Sequence, residues 1–358
     1  MPHPIQRRKL PECTFYLILL IFSTDVLYSR TVEISSIYAK SECAIETNIF
    51  EQKLADISAL SNHTWFGFSH KRQSRLQQLY INLMSNLSLY NEYKSENKAI
   101  NMLVLNHIYT LRNRVTFQSD VRIFNKQWYN DNRGYTSSLF SSSIGSSHSK
   151  IKALVGFEYQ YNDFQSLPIF TSDQTGLFLQ FYHNSSPKKT TSARISYHTI
   201  RYSERTIYRP LSSDSLNLPL QKDNMLFIQL GREFRKKAIG GIYFRYMILH
   251  SNSDFSSFQS ASVRFFNTRK IAGFYVQLIA EYQFKQYSEE NTKLFTFSNP
   301  DPEQNIQNQL LVGWERPITK NISLQGKVAY IKNETVYSNQ YYNKWFVSAG
   351  LQYRIANK

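Results

Sequence analysis

Charged side chains recur along this chain singly, each next to apolar or aromatic neighbours: Asp120 and Arg122 flank Val121, Glu158 lies between Phe157 and Tyr159, and Arg264 lies between Val263 and Phe265. Arg114, Lys152, Arg194, Arg245, Lys285, Lys327 and Arg354 extend the cationic set, and Glu233, Glu281 and Glu315 extend the acidic one. Brought onto one interior surface, these groups could do either of two things. A ring with more Arg and Lys than carboxylate favours anions in a pore; alternatively, opposite charges pair across strands and close the surface. Arg114, Asp120 and Arg122 on one stretch suit an ion-pair ladder as well as a conduction path. Other chemistry is thinly supported. His183, Asn184 and Ser185 adjoin a basic turn, where turn composition is expected anyway. His198 accompanies Arg194 and His148 lies in a Ser-rich turn, but no Gly-x-Ser-x-Gly or His-Glu-x-x-His motif is present. The eight histidines show no metal-ligand spacing on a shared face, so neither catalysis nor a metal or other cofactor is expected.

The elements that must position these charges have period two. In 271–288, Phe274, Val276, Leu278, Ala280, Tyr282 and Phe284 take one face, and Tyr275, Gln277, Glu281, Gln283 and Lys285 the other. The same alternation runs through 321–332 and the C-terminal stretch, where Trp345, Val347, Ala349, Leu351, Tyr353 and Ile355 oppose Ser348, Gly350, Gln352 and Arg354. These stretches run roughly 10 to 15 residues, against about 5 or 6 for an ordinary strand and about 9 to 11 for a tilted membrane-crossing one. About fourteen such strands are expected between 76 and 358, with twelve to sixteen the admissible range. Their connections alternate between tight turns, near 111–113, 146–148, 184–189, 235–237, 268–270 and 316–320, and mostly longer loops, near 128–135, 162–173, 204–222, 251–256, 289–303 and 334–341. A soluble barrel with an apolar interior also gives period two. Strand length, loop alternation and Tyr and Trp near strand ends (Trp128, Tyr129, Tyr161, Trp314, Trp345) favour the membrane. The fold class expected is therefore all-β, a transmembrane antiparallel up-and-down barrel.

Composition agrees. The chain is 42% hydrophobic and 15% aromatic, which excludes disorder, and its longest apolar run, Phe15–Phe22, is too short for a membrane helix. That run follows Arg7, Arg8 and Lys9, the layout of a signal peptide, assigned to 1–30, although Asp25 falls early and Leu27, Tyr28, Ser29 is a poor cleavage triplet. Two cysteines, Cys13 and Cys43, allow no disulfide framework in the exported chain. Residues 31–75 carry a possible short helix near 51–60 and a basic stretch of His70, Lys71, Arg72 and Arg75. They are expected to form a periplasmic lead-in or a plug.

The net charge of +16 raises the question of nucleic acid, but the basic residues cluster in the tight turns, as Lys188, Lys189, Arg235, Lys236, Lys237, Arg269, Lys270 and Arg316. Such a rim suits lipid headgroups. No basic module interleaved with aromatics is present, so nucleic acid is not an expected partner. The longer loops hold acids such as Asp163, Asp214, Glu289, Glu290 and Asp301, which could bridge surface glycolipid through divalent cations or simply be solvated.

Residues 76–356 resemble a bacterial outer-membrane β-barrel, and the C-terminal segment resembles the barrel-assembly signal of that class, matched here by Ser348, Gly350, Tyr353 and Ile355. The match departs by ending Ala356, Asn357, Lys358 instead of on an aromatic residue. The resemblance implies residence in the outer membrane with both termini periplasmic. It also implies outer-membrane lipid, surface glycolipid and the assembly machinery as partners. The function expected is a passive pore or transporter for small solutes with a modest anion preference, and no enzyme. The alternative is a non-conducting barrel that anchors, exports or assembles surface components through its long loops.

Overall fold

The computed structural model describes residues 31–49, 57–111, 114–130, 134–165, 168–207, 219–253, 256–287, 308–333 and 342–357. Sixteen strands account for nearly all of them: β1 Val32–Glu46, β2 Ala59–Gln73, β3 Gln77–Tyr90, β4 Lys98–Thr110, β5 Val115–Trp128, β6 Gly134–His148, β7 Ile151–Phe164, β8 Ser172–Ser186, β9 Lys189–Thr206, β10 Leu220–Arg235, β11 Ala238–Ser251, β12 Phe258–Ile271, β13 Phe274–Tyr287, β14 Asn308–Pro317, β15 Ile322–Asn333 and β16 Tyr342–Asn357. Each pairs antiparallel with its sequence neighbours, and β1 closes on β16 from Ser35 opposite Asn357 to Glu46 opposite Phe346. Closure leaves no free sheet edge, so every strand finds its ladder partner within the chain.

Strand length and connection length follow the expected alternation. One end carries tight turns, such as the two-residue link at Ala272 and Gly273, both with positive φ (48° and 86°), the type I′ geometry that matches strand twist. The other end carries the longer connections, tied down by two apolar clusters. Ile49, Ala59 and Tyr90 pack together near the ends of β1–β3, and Tyr135, Phe164 and Phe170 near the ends of β6–β8.

Among the described residues, the buried apolar clusters lie at the strand ends and not in a central core. Phe66, Ile123, Leu177, Leu230, Phe244 and Tyr282, spread over six strands, all project outward and are exposed. An apolar surface that encircles the molecule requires a nonaqueous surround, and a hydrocarbon layer supplies one. The opposite face carries most of the ion pairs and most of the buried polar groups among the described residues.

One expectation is corrected. Residues 31–75 are no lead-in or plug in their described part: β1 and β2 are barrel strands, which bring the count to sixteen, the upper end of the expected range, and the basic stretch at 70–75 borders one more tight turn. The possible helix lies mostly on residues outside the described set, and Ala59 onward is strand. These strands escaped detection because their outward positions include Ser41, Cys43, Asn62 and Thr64, so the contrast between faces is low. The signal-peptide residues 1–30 lie outside the described residues.

Candidate functional site

Three rungs of the inner wall assemble a charged belt. In the first, Asp120 on β5 lies opposite Ser141, followed by Glu158, Gly176 and His198 on β7, β8 and β9. In the second, Arg194 on β9 lies opposite Gln229 on β10, which lies opposite Arg245 on β11. In the third, Tyr243 on β11 is followed by Arg264, Glu281 and Gln309. Period two brings all of these side chains to the same face.

The pairs are intimate. Arg122 donates to both oxygens of Asp120, at 3.3 and 3.1 Å. Arg194 crosses β8 over the ring of Phe178, 4.3 Å from its centroid, and pairs with Glu158. Gly176 makes room beneath this bridge: a Cβ there would fall 2.1 Å from Nδ1 of His198, whose Nε2 lies 3.7 Å from Glu158. Glu281 accepts from Arg245 at 3.0 Å and from Gln309 at 3.3 Å, and Arg264 approaches its other side at 3.7 Å. Tyr243 donates to Glu233.

Exposure separates the two signs. The side chains of Asp120, Glu158 and Glu281 are 13%, 13% and 9% exposed, whereas those of Arg122, Arg264, Arg245 and Arg194 are 58%, 36%, 29% and 21% exposed. At these pairs the carboxylates lie against the wall and the guanidinium groups stand over them, whereas Glu233, paired with Arg235, is 34% exposed.

The remaining residues expected in the lumen divide. Lys152, Lys285, Lys327, Arg354 and Glu315 stand on the inner face, Lys285 over Phe258 at 3.9 Å and Lys327 over Phe346 at 4.2 Å. Arg114 does not join them, because β5 begins at Val115. Arg114 occupies the preceding turn at φ 70°, with its guanidinium 2.8 Å from His148. On β16, Ser348 and Gly350 face inward and Tyr353 and Ile355 outward, and Gly350 sits against the β1 backbone, where a Cβ would meet the Ser41 carbonyl oxygen at 2.1 Å.

A second inner cluster arises from strands that the sequence reading left out of the barrel. Glu46 accepts from Ser61 at 2.8 Å and Tyr90 at 3.1 Å, contacts His63 at 2.9 Å, and holds Lys344 of β16 at 3.0 Å. His63 continues to Ser88 at 2.8 Å. A carboxylate, imidazole and hydroxyl in line are the parts of a nucleophilic relay, but Ser88 is 1% exposed and closed off from any solute. The cluster instead bolts β1, β2 and β3 to β16 at the seam. Lys40, Glu42 and Glu46, two and four residues apart and so on one face of a strand, were the readable signal for it. His183, Asn184 and Ser185 lie near the end of β8, beside its turn to β9, where Asn184 accepts from Thr190 at 2.9 Å. Among the described residues no group of His, Cys, Asp and Glu is placed to hold a metal ion.

No protein-family profile matches the chain, and no curated protein matches it in sequence. Solved structures do match in shape. OmpF of Salmonella typhi, solved with daunomycin, superposes with a TM-score of 0.50 at 9% identity, covering 92% of this chain and 99% of that one. OmpT of Vibrio cholerae gives 0.47 at 10% identity over 92% and 100%, and opdK of Pseudomonas aeruginosa gives 0.44 at 6% identity over 90% and 99%. With its closed antiparallel topology, the chain has the fold of the bacterial outer-membrane β-barrels.

Proposed function

We propose that the protein resides in the outer membrane as a passive pore for small solutes with a modest preference for anions. The observation that carries this reading is the layering of charge on the inner wall, with carboxylates beneath and arginines above. A solute in the lumen meets the more exposed groups first. Sixteen strands about 4.8 Å apart and tilted by about 40° enclose a backbone cylinder roughly 30 Å across. Side chains reaching inward by about 6 Å each cannot fill that width, and barrels of this strand number leave an aqueous channel. Partners in this reading are the surrounding lipid, surface glycolipid and the assembly machinery, the last engaging the outward Tyr353 and Ile355 of β16 from the periplasmic side.

The test is planar-bilayer conductance of the refolded protein, with the reversal potential read in a salt gradient. Discrete steps with an anion-leaning reversal potential are expected. Arg122→Glu with Arg264→Glu moves that potential toward cation preference while the barrel keeps its heat-dependent gel mobility. A well-formed barrel that passes no current overturns the open-pore reading.

A further inference from the structure

The chain has five methionines, and the four beyond Met1 all stand on the inner face of the barrel. They form two pairs on separate sectors of the wall. Met84 on β3 lies opposite Met102 on β4, which lies opposite Phe124 on β5. Beyond β6–β9, Phe227 on β10 lies opposite Met247 on β11, and one rung nearer the loops Met225 lies opposite Leu249. Each of these side chains is partly exposed, and an inward side chain can be exposed only to the barrel interior. Apolar residues stand on the inner wall elsewhere too. Ile279, Leu311, Ala329 and Phe346 form a row across β13–β16, but Ala329 is buried and Lys327 lies over Phe346 at 4.2 Å. The two Met-bearing patches share a neighbour. On β5 the next inner residue turnward of Phe124 is Arg122, and on β11 the next turnward of Met247 is Arg245. Their side chains are 58% and 29% exposed. The hydrogen bonds described above and one from Arg245 to Gln229 use Nε and Nη2 of Arg122 and Nε and Nη1 of Arg245. A guanidinium carries five N–H donors, so donors remain on both.

We propose that the solutes this pore favours are amphipathic carboxylates, anions with an aliphatic or aromatic body, and that each Met-bearing patch with its arginine is a binding step on their path. The inference deepens the proposed function and rests on the open lumen of that reading. A small hydrated ion gains nothing from apolar side chains, and a water-filled barrel interior is ordinarily polar. An apolar body leaves water when it reaches such a surface. Methionine is unbranched and polarizable, so it adapts to bodies of different shape. The guanidinium fork matches the two oxygens of a carboxylate. Spacing joins the two halves. Successive inner residues of a strand lie roughly 7 Å apart, so a carboxylate held at Arg245 lays the near part of its body over Met247 and Phe227 and the far part over Met225 and Leu249. At the other patch, a head on Arg122 lays the body over Phe124 and Met102.

The experiment uses the full refolded chain, in planar bilayers for current and in lipid nanodiscs with methyl-labelled methionine for resonance at the patches. The probes are octanoate, acetate, which keeps the head and lacks the body, and octyltrimethylammonium, which keeps a body and reverses the charge of the head. Octanoate is expected to interrupt the single-channel current at concentrations at least about tenfold below those of either control, the ratio that burying one apolar side chain supplies. It is also expected to shift the methionine methyl resonances, assigned with Met84→Leu, Met102→Leu, Met225→Leu and Met247→Leu. Met225→Gln with Met247→Gln weakens the interruption by about tenfold, with heat-dependent gel mobility reporting the barrel. Octanoate no more effective than acetate overturns the inference and leaves the pore in place. So does an unchanged interruption in a well-formed double Gln variant. Interruption without methyl shifts puts octanoate in the lipid and overturns it as well. A well-formed barrel that passes no current removes the pore, and its solutes with it.

Discussion

At the scale of single residues, the inner wall separates two uses of charge. Arginines over wall-bound carboxylates remain partly open to the barrel interior, whereas the Glu46–Lys344 pair is almost wholly enclosed, at 3% and 7% side-chain exposure. Removing one member of a buried pair leaves the other uncompensated, a loss of about 3 to 5 kcal/mol. Lys344→Ala is therefore expected to lower the temperature at which the barrel loses its compact gel mobility, while Lys344→Ala with Glu46→Ala recovers part of the loss. Equal transitions for all three proteins would show that the seam does not depend on this pair. The inner position of Arg194, Arg245 and Glu281 follows from parity alone. Their partners do not, because Arg194 reaches Glu158 across an intervening strand whose Gly176 and Phe178 make the passage.

At the scale of elements, tight turns fix register. Ala272 and Gly273 form a two-residue link in which both φ angles are positive. Gly273 has no atom within 4 Å of the place a Cβ would take, so conformation and not space calls for glycine there. Ala272 has a Cβ in the left-handed region, which costs about 1 kcal/mol, and type I′ turns favour Asn-Gly. Ala272→Asn is expected to stabilise the β12–β13 hairpin by up to about 1 kcal/mol and to raise the barrel's melting temperature, while Gly273→Val lowers it. Opposite signs in calorimetry would mean that the turn does not limit stability.

At the scale of the whole molecule, the two rims differ. The short-turn end carries Lys188, Lys236, Lys237, Arg269, Arg316 and Lys320 in or beside its links, which places positive charge around one rim. Each such residue near an anionic surface contributes about 1 kcal/mol, roughly fivefold in binding. Lys236→Gln with Lys237→Gln is thus expected to slow insertion into vesicles containing phosphatidylglycerol and to leave insertion into neutral vesicles unchanged. An equal effect on both vesicle types would detach the rim from headgroup contact.

The sequence by itself determined the all-β barrel class, the inner and outer faces from β5 onward, and the alternation of turns and loops. Each of these is written locally, as side-chain period and spacing along one strand. β1 and β2 were hidden because their outward faces carry Ser, Cys, Asn and Thr, so period two produced little contrast there. Closure, the sixteenth strand, the β1–β16 seam and the belt's partners were decided only by tertiary structure. They depend on register between strands as much as 322 residues apart, as Ser35 and Asn357 are, and no local period encodes which rung of one strand meets which rung of another.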